Sequence, residues 1–256
     1  MWGRSSPRNG LKLLAAVVFL VSFSVCAQAI VLGSSSALGA HVVRVIGNGG
    51  KLNCSGVVLD RMHVVTAAHC GPRGVMIDGV NVFAARILRS AKLEDGRVVN
   101  VRGDVVIINF RQALPASASP ITIGDQGTDG AFTIAGFGAT AEAQRGRLGS
   151  LQEASVVHHK PWLLVDPRRD GELSASACYG DSGGAVLRNG ALVGVITRAS
   201  HPSPSKVCGH LTHYAPIIST AAAPPPAPPA ASEATTTSIS PQALPQRYHR
   251  RAVTRR

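Results

Sequence analysis

The sequence predicts an all-β fold for residues 30–218, and three observations lead to this class. Short apolar runs rich in β-branched residues recur at strand length, with Gly, Asp, Asn or Pro at their borders. No stretch of this region has the long 3.6-residue apolar periodicity of an amphipathic helix. Glycine accounts for 27 of 256 residues and charged residues for only 16%, which favours strands and turns over long helices. A sandwich or barrel is therefore expected.

The predicted strands follow one another along this region as short β-branched runs. They are residues 41–46, 55–59, 63–66, 104–108 and 192–196. Asn48-Gly49-Gly50 and Asn189-Gly190 are hairpin-turn signals. Residues 113–120 are rich in Ala, Ser and Pro and lack periodicity, so we expect them to join two halves, about 30–115 and about 120–218.

The first 29 residues have the three-part layout of a secretory signal peptide. Residues 1–12 are polar and cationic, residues 13–25 form an apolar run, and Ala27-Gln28-Ala29 is typical of a signal peptidase site. We expect cleavage after Ala29 and a secreted or periplasmic protein that meets a membrane only during export. Because the apolar run is short for a membrane span, an uncleaved anchor is the less favoured alternative.

Cleavage after Ala29 removes Cys26 and leaves an even number of cysteines. The remaining ones are Cys54, Cys70, Cys178 and Cys208. In an oxidising compartment they predict two disulfides, with three connectivities open. A bridge between Cys54 and Cys70 would pin the loop that carries His69. No C-x-x-C pair occurs, and His158-His159 has no third ligand nearby, so no metal and no cofactor are predicted.

The formal charge of +12 is concentrated at the two ends of the chain. Residues 1–29 contribute +3 and residues 219–256 contribute +4, which leaves +5 for residues 30–218. A basic groove for nucleic acid is therefore not indicated. Residues 219–256 combine an Ala/Pro run with a Ser/Thr segment and a basic end, and we expect an extended, solvated tail without a core.

The segment CYGDSGG at residues 178–184 has the strongest chemical implication. Glycines around Ser182 let the backbone approach a bound carbonyl, and the N–H groups of Gly180 and Ser182 can point at a developing oxyanion. A G-x-S-x-G pattern also occurs in α/β-hydrolases, where the acid and the His follow the Ser. No Asp follows Ser182 and the one later acid is Glu233 in the tail, so the partners of Ser182 are expected upstream.

Two upstream residues are candidates for these partners. His69 follows a β run and two small residues, which places it at a strand end facing a cleft. Asp104 opens an apolar strand, where a semi-buried carboxylate needs a partner that a His N–H would supply. The order His69, Asp104, Ser182 is that of chymotrypsin-type enzymes and differs from that of subtilisin.

Together these segments resemble a secreted chymotrypsin/trypsin-type serine protease. The matching segments are residues 54–59, 64–70, 103–108, 134–138, 151–154 and 180–184. The resemblance implies two six-stranded antiparallel β-barrels with the active site in the cleft between them. It implies that Ser182 is the nucleophile, that His69 is the general base and that Asp104 orients the imidazole. It also implies an oxyanion hole from the amides of Gly180 and Ser182, and a disulfide between Cys178 and Cys208.

The resemblance also implies a specificity pocket, with Ser176 at its base and Ala199 and Gly209 at its walls. A neutral, small-walled pocket favours apolar or aromatic substrate side chains. The alternative is that Asp170 or Glu172 reaches into the pocket and reverses this preference.

Family members expose an Ile-Val terminus whose amine pairs with the Asp before the nucleophile. Here Ile30-Val31 directly follows the predicted cleavage site, so Ile30 is expected to pair with Asp181. Leu32 departs from the glycine usual in the family. The predicted function is that of a monomeric, exported endopeptidase acting on polypeptides through an acyl-enzyme. The alternative is a catalytically silent binding protein of the same fold.

Overall fold

The computed structural model describes residues 29–168 and 173–220. The predicted signal segment up to residue 28, the acids Asp170 and Glu172, and the tail from residue 221 lie outside the described residues. Within them the strands are β1 (Ser34–Ser35), β2 (Val42–Ile46), β3 (Leu52–Asp60), β4 (His63–Ala67), β5 (Gly74–Ile77), β6 (Val80–Phe83), β7 (Arg86–Leu88), β8 (Ser90–Lys92), β9 (Val98–Asn100), β10 (Val105–Asn109), β11 (Phe132–Gly136), β12 (Gln152–Lys160), β13 (Leu163–Val165), β14 (Ala185–Arg188), β15 (Ala191–Ser200), β16 (Leu211–Pro216) and β17 (Ile218–Thr220). Short 3-10 helices cover Leu38–Ala40, Asn48–Gly50, Ala68–Cys70 and Glu142–Gln144. No helix in the described part of the chain is long and apolar enough to cross a membrane.

The second half forms a closed antiparallel barrel of six strands in the order β12-β11-β14-β15-β16-β13. Pairing between β12 and β13 closes it. The first half forms a curled seven-stranded sheet in the order β6-β5-β2-β3-β4-β10-β7, which is not closed by hydrogen bonds between its edges. The predicted all-β, two-barrel architecture is thus confirmed, with a half-open first barrel.

The two ends of the described chain cross over to the opposite halves. Strand β1 pairs with β12 of the second barrel, and β17 pairs with β9 in a separate small sheet with β8. The first strand of the first predicted half therefore pairs with the second half, and the last strand of the second half pairs with the first. Ser219 and Thr220, which the sequence assigns to the tail, belong to a strand because they pair with Val99 and Val98.

The largest apolar cluster contains residues of both halves. Val57 and Ile107 come from the first sheet and Leu192 and Val195 from the second barrel, and all are 0% exposed. A shared apolar core of this kind resists sliding of the two sheets, because such motion would open voids in close-packed side chains. The relative position of the two halves, and hence of the cleft between them, is set by this packing.

A buried polar network ties together the turn between β3 and β4. Asp60 is 4% exposed, and its carboxylate contacts Nδ1 of His63 at 2.9 Å. Burial acts to raise the pKa of Asp60, but hydrogen bonds from His63 and from the backbone N–H groups of Met62 and Glu94 outweigh it and hold the pKa below its usual value. The carboxylate therefore stabilises the fold above its ordinary pKa, and this contribution is lost as the pH falls through the lowered one.

We expect Asp60→Asn to lower the free energy of unfolding at pH 7 by about 1–3 kcal/mol, because one buried acceptor and its charge are removed. Urea unfolding measures the change. Asp78→Asn, at an exposed turn, is the matched control and should change stability by less than about 0.5 kcal/mol. Equal losses in the two variants would contradict the assignment.

Candidate active site

A cavity of about 940 Å³ lies where the two halves meet. His69 and Asp104 line it from the first half, and Ser182 and Gly180 line it from the second. Residues separated by more than 100 positions in sequence are thus brought to one cleft. The structure assembles all three residues that the sequence assigns to a triad.

The loops of His69 and Asp104 are held together by three hydrogen bonds. The N–H of Ala68 donates to the backbone oxygen of Asp104 at 3.0 Å, and the N–H of His69 donates to Asp104 Oδ1 at 2.8 Å. Asp104 Oδ2 lies 2.6 Å from His69 Nδ1. This geometry favours a proton on Nδ1 and leaves Nε2 as the basic nitrogen. Asp104 directly precedes β10 and its side chain is 40% exposed, so it is partly buried, as expected for a residue at the head of that strand.

Ser182 stands in a short turn between β13 and β14. In the described structure its hydroxyl has no hydrogen bond to His69. The N–H groups of Gly180 and Ser182 donate to no described protein group, so both remain available to an incoming oxygen. Gly180 has φ +95°, and a Cβ there would lie 2.4 Å from Leu148 Cδ2; this position therefore requires glycine.

Ser55 on β3 fastens this turn to the first half. Its N–H donates to the Ser182 carbonyl at 2.9 Å, and its hydroxyl donates to the Gly180 carbonyl at 3.0 Å. The same hydroxyl accepts from the N–H of Phe137 at 2.9 Å. Sequence reasoning missed Ser55, because a Ser next to a structural Cys shows no signal of a contact 125 residues away.

The carboxylate of Asp181 is completely buried behind the turn. It accepts from the N–H groups of Gly138 at 2.8 Å, Cys178 at 2.9 Å and Ile30. Burial raises the pKa of Asp181 to about 7, although these three hydrogen bonds act to lower it. The structure therefore brings the two residues of the predicted ion pair into contact.

Two disulfides brace the site from either side. Cys54–Cys70 closes a loop with a sequence separation of 16 around His69, and Cys178–Cys208 closes one with a separation of 30 next to Gly180. Of the three connectivities open from the residues, this is the one that the resemblance implies for Cys178. Closing loops of this size stabilises a fold by roughly 3–4 kcal/mol each.

A family model described as Trypsin matches residues 30–220. The chain belongs to the trypsin family. Serine protease SP24D of Anopheles gambiae is 27% identical over 191 residues, which cover 65% of this chain and 70% of that protein. The structure of neuropsin, a serine protease expressed in the limbic system of mouse brain, matches with a TM-score of 0.52 at 18% identity and covers 72% of this chain and 94% of that chain. At this identity the likeness to neuropsin supports the fold alone.

The three residues assigned to the specificity pocket of this trypsin-family chain lie at different depths. Ala199 lines the cavity, whereas Ser176 is 0% exposed and Gly209 is buried. The Ser176 hydroxyl accepts from the N–H of Gly209 at 2.8 Å, and its carbonyl accepts from Val31 at 2.9 Å. Ser176 and Gly209 therefore brace the wall from behind and hold the N-terminal segment in place.

Glu142 is a second residue that sequence reasoning missed. Its carboxylate accepts from the backbone N–H groups of Val207 and Cys208 and from the Tyr179 hydroxyl. Burial acts to raise the pKa of Glu142, but these hydrogen bonds outweigh it and lower the pKa, whereas burial and the Glu142 charge raise that of Tyr179. Glu142 thus joins its own loop to the Cys178–Cys208 disulfide and to the residue before Gly180.

Proposed function

We propose that the chain is an exported serine endopeptidase that uses Ser182, His69 and Asp104. The observation that carries the proposal is the 2.6 Å contact between His69 Nδ1 and Asp104 Oδ2 in the cavity that also holds Ser182. Two unengaged backbone N–H groups, of Gly180 and Ser182, supply the remaining requirement for acyl transfer. The family makes polypeptides the expected substrates, and we propose that a monomer acts on them.

In this mechanism His69 Nε2 takes the proton of Ser182 Oγ as that oxygen attacks the scissile carbonyl. Asp104 keeps the other proton on Nδ1 and stabilises the imidazolium that forms. The N–H groups of Gly180 and Ser182 donate to the oxyanion of the tetrahedral intermediate. His69 then protonates the leaving amine, and water attacks the acyl-enzyme by the same steps. The missing Ser182–His69 hydrogen bond is compatible with this scheme, because such bonds tighten on substrate binding.

The side chain before the scissile bond is proposed to be apolar or aromatic. Support comes from the uncharged part of the cavity wall, which includes Ala199, Val207 and Tyr214. Burying one apolar side chain there contributes roughly 1.5–3 kcal/mol. An extracytoplasmic location is proposed with it, since disulfide-bonded trypsin-family proteins are typically extracellular.

We further propose that cleavage after Ala29 completes the site. In the full chain the nitrogen of Ile30 is a peptide nitrogen, which offers Asp181 one hydrogen bond but no charge. Ile30 also has φ +52°, a strained value for a β-branched residue. Cleavage converts this nitrogen into an ammonium group and removes the constraint on φ. Because Ala29 is 0% exposed in the folded chain, the cut is expected to precede folding, as cleavage during export does.

Ser182→Ala should lower kcat/KM on peptide substrates by about 10⁴-fold or more, because the triad acts as a unit. A fluorophosphonate should label the parent and not this variant. Ser117→Ala, at an exposed position, is the control and should behave like the parent. Absence of labelling in the folded parent would favour the silent binding protein instead.

Peptides that differ only in the residue before the scissile bond test the pocket. Leu or Phe there should give a kcat/KM about ten- to a hundredfold above Lys or Arg, because a neutral wall offers no partner for a buried cation. Faster cleavage after Arg would show that an acid reaches the pocket, with Asp170 and Glu172 as the first candidates.

A form with extra residues before Ile30 should be less stable near neutral pH than the form that begins at Ile30. A carboxyl whose folded pKa is raised to about 7 contributes stability below its unfolded pKa, near 4, and loses it as the pH rises to 7. A charged Ile30 amine opposes that shift. Urea unfolding should therefore show that the free energy of unfolding falls by a few kcal/mol between pH 4 and pH 7 in the extended form alone.

The companion measurement is kcat on a small ester, which should be at least tenfold lower in the extended form. Asp181→Asn is the control, because it removes the titrating group and should abolish the pH-dependent difference in stability between the two forms. Equal stability and equal turnover of the extended and mature forms would contradict the proposal.

A further inference from the structure

The charged side chains that line the cavity are mostly cationic. They are Arg145, Arg147 and Arg198 against the single acid Asp104, among the described residues. Asp104 is already engaged by His69 at 2.6 Å. None of the three arginines takes part in an ion pair of the described structure. The described lining of the cleft therefore has an excess of positive charge that the mechanism does not use.

The side chain of Arg145 is held at the cleft by its contact with Tyr179. Its guanidinium lies 4.9 Å from the centre of the Tyr179 ring, in the geometry of a cation–π interaction. Tyr179 directly precedes Gly180, and its hydroxyl is bound by Glu142 from the loop that carries both Arg145 and Arg147. The guanidinium thus lies beside the backbone segment that would bind the scissile carbonyl.

Arg198 reaches the cavity because strand β15 carries a bulge. Ile196 pairs with Tyr214 and Arg198 with His213, so Thr197 is an extra residue without a partner in β16. Successive side chains of a regular strand point to opposite faces, and a bulge breaks that alternation. Thr197, Arg198 and Ala199 consequently all line the same cavity.

We propose that the three arginines select substrates with carboxylate side chains close to the scissile bond. The inference rests on the proposed peptidase function and names its substrate class: polypeptides with an apolar residue before the cleaved bond and acidic residues flanking it. An exposed guanidinium attracts a carboxylate only modestly in water, so each well-placed acidic residue should raise kcat/KM about two- to fivefold. Acidic polypeptides fit better than nucleic acid, because the arginines converge on the cavity of the nucleophile.

The test uses fluorogenic peptides that share one apolar residue before the scissile bond. Gln, Glu or Lys is placed in turn at the neighbouring positions on either side, and the Glu-to-Gln ratio of kcat/KM is measured at each. The ratio should exceed two at one or more positions and approach one in 1 M salt, where the Debye length is about 3 Å. The corresponding Lys-to-Gln ratio of kcat/KM should be below one at the same positions.

Two variants locate the effect. Arg198→Gln and the double variant Arg145→Gln/Arg147→Gln should each lower the Glu-to-Gln ratio at the positions nearest to the removed charge. Arg111→Gln is the matched control, because it removes an equal charge from an exposed residue. Asp104 precedes β10, whereas Arg111 follows the other end of that strand. This control variant should leave the ratio unchanged.

The outcomes separate this inference from the proposed function. Cleavage of the Gln peptides with Glu-to-Gln ratios of one or less at every position would overturn the inference and leave the peptidase intact. Ratios that fall equally in Arg111→Gln would also overturn it, since the effect would then come from net charge. A folded chain that cleaves none of the peptides and takes no fluorophosphonate label would refute the proposed function and the inference together.

Discussion

The fully buried carboxylate of Asp181 is the constraint around which the site is organised. Its oxygens accept N–H groups from Gly138 and Cys178, which belong to different segments of the second barrel. A Cβ at Gly136 or Gly138 would lie 2.3 or 2.5 Å from an atom of this carboxyl group. The segment before Ser182 is therefore clamped between backbone groups with no space for a side chain. A carboxylate desolvated to this degree needs every one of its partners.

One residue of the first half, Ser55, adds hydrogen bonds to the same segment before β14. Ser55 binds the carbonyls of both Gly180 and Ser182, and a Cβ at Gly183 would lie 2.1 Å from the Ser55 carbonyl. The turn that contains Ser182 thus packs against the first sheet, whose strand β4 leads into His69. Neither half contains all three residues of the proposed triad, and the shared apolar core keeps the two halves in register.

Much of the fold and of the candidate site could be predicted from the sequence, because the strongest signals in the sequence are local. The flanks of His69, Asp104 and Ser182, the β-branched runs and the turn glycines are each visible within a few residues, and the order of the three residues follows directly from their positions. The bulge that brings Arg198 into the cavity and the reach of Glu142 to Cys208 could not be predicted, since they depend on pairing register and loop packing between distant segments. The burial of Ser176 behind the cavity wall also depends on how distant segments pack, so it could not be predicted either.

The crossed ends of the chain also bear on the order in which the protein can be assembled. Strand β17 comes after the whole second barrel in sequence but pairs with β9 of the first half. A chain that emerges from a ribosome or an export channel with its N-terminus first presents the first sheet long before its last strand. The small sheet that β8 and β9 form with β17 is therefore completed only by the final residues of the domain, after the second barrel has emerged.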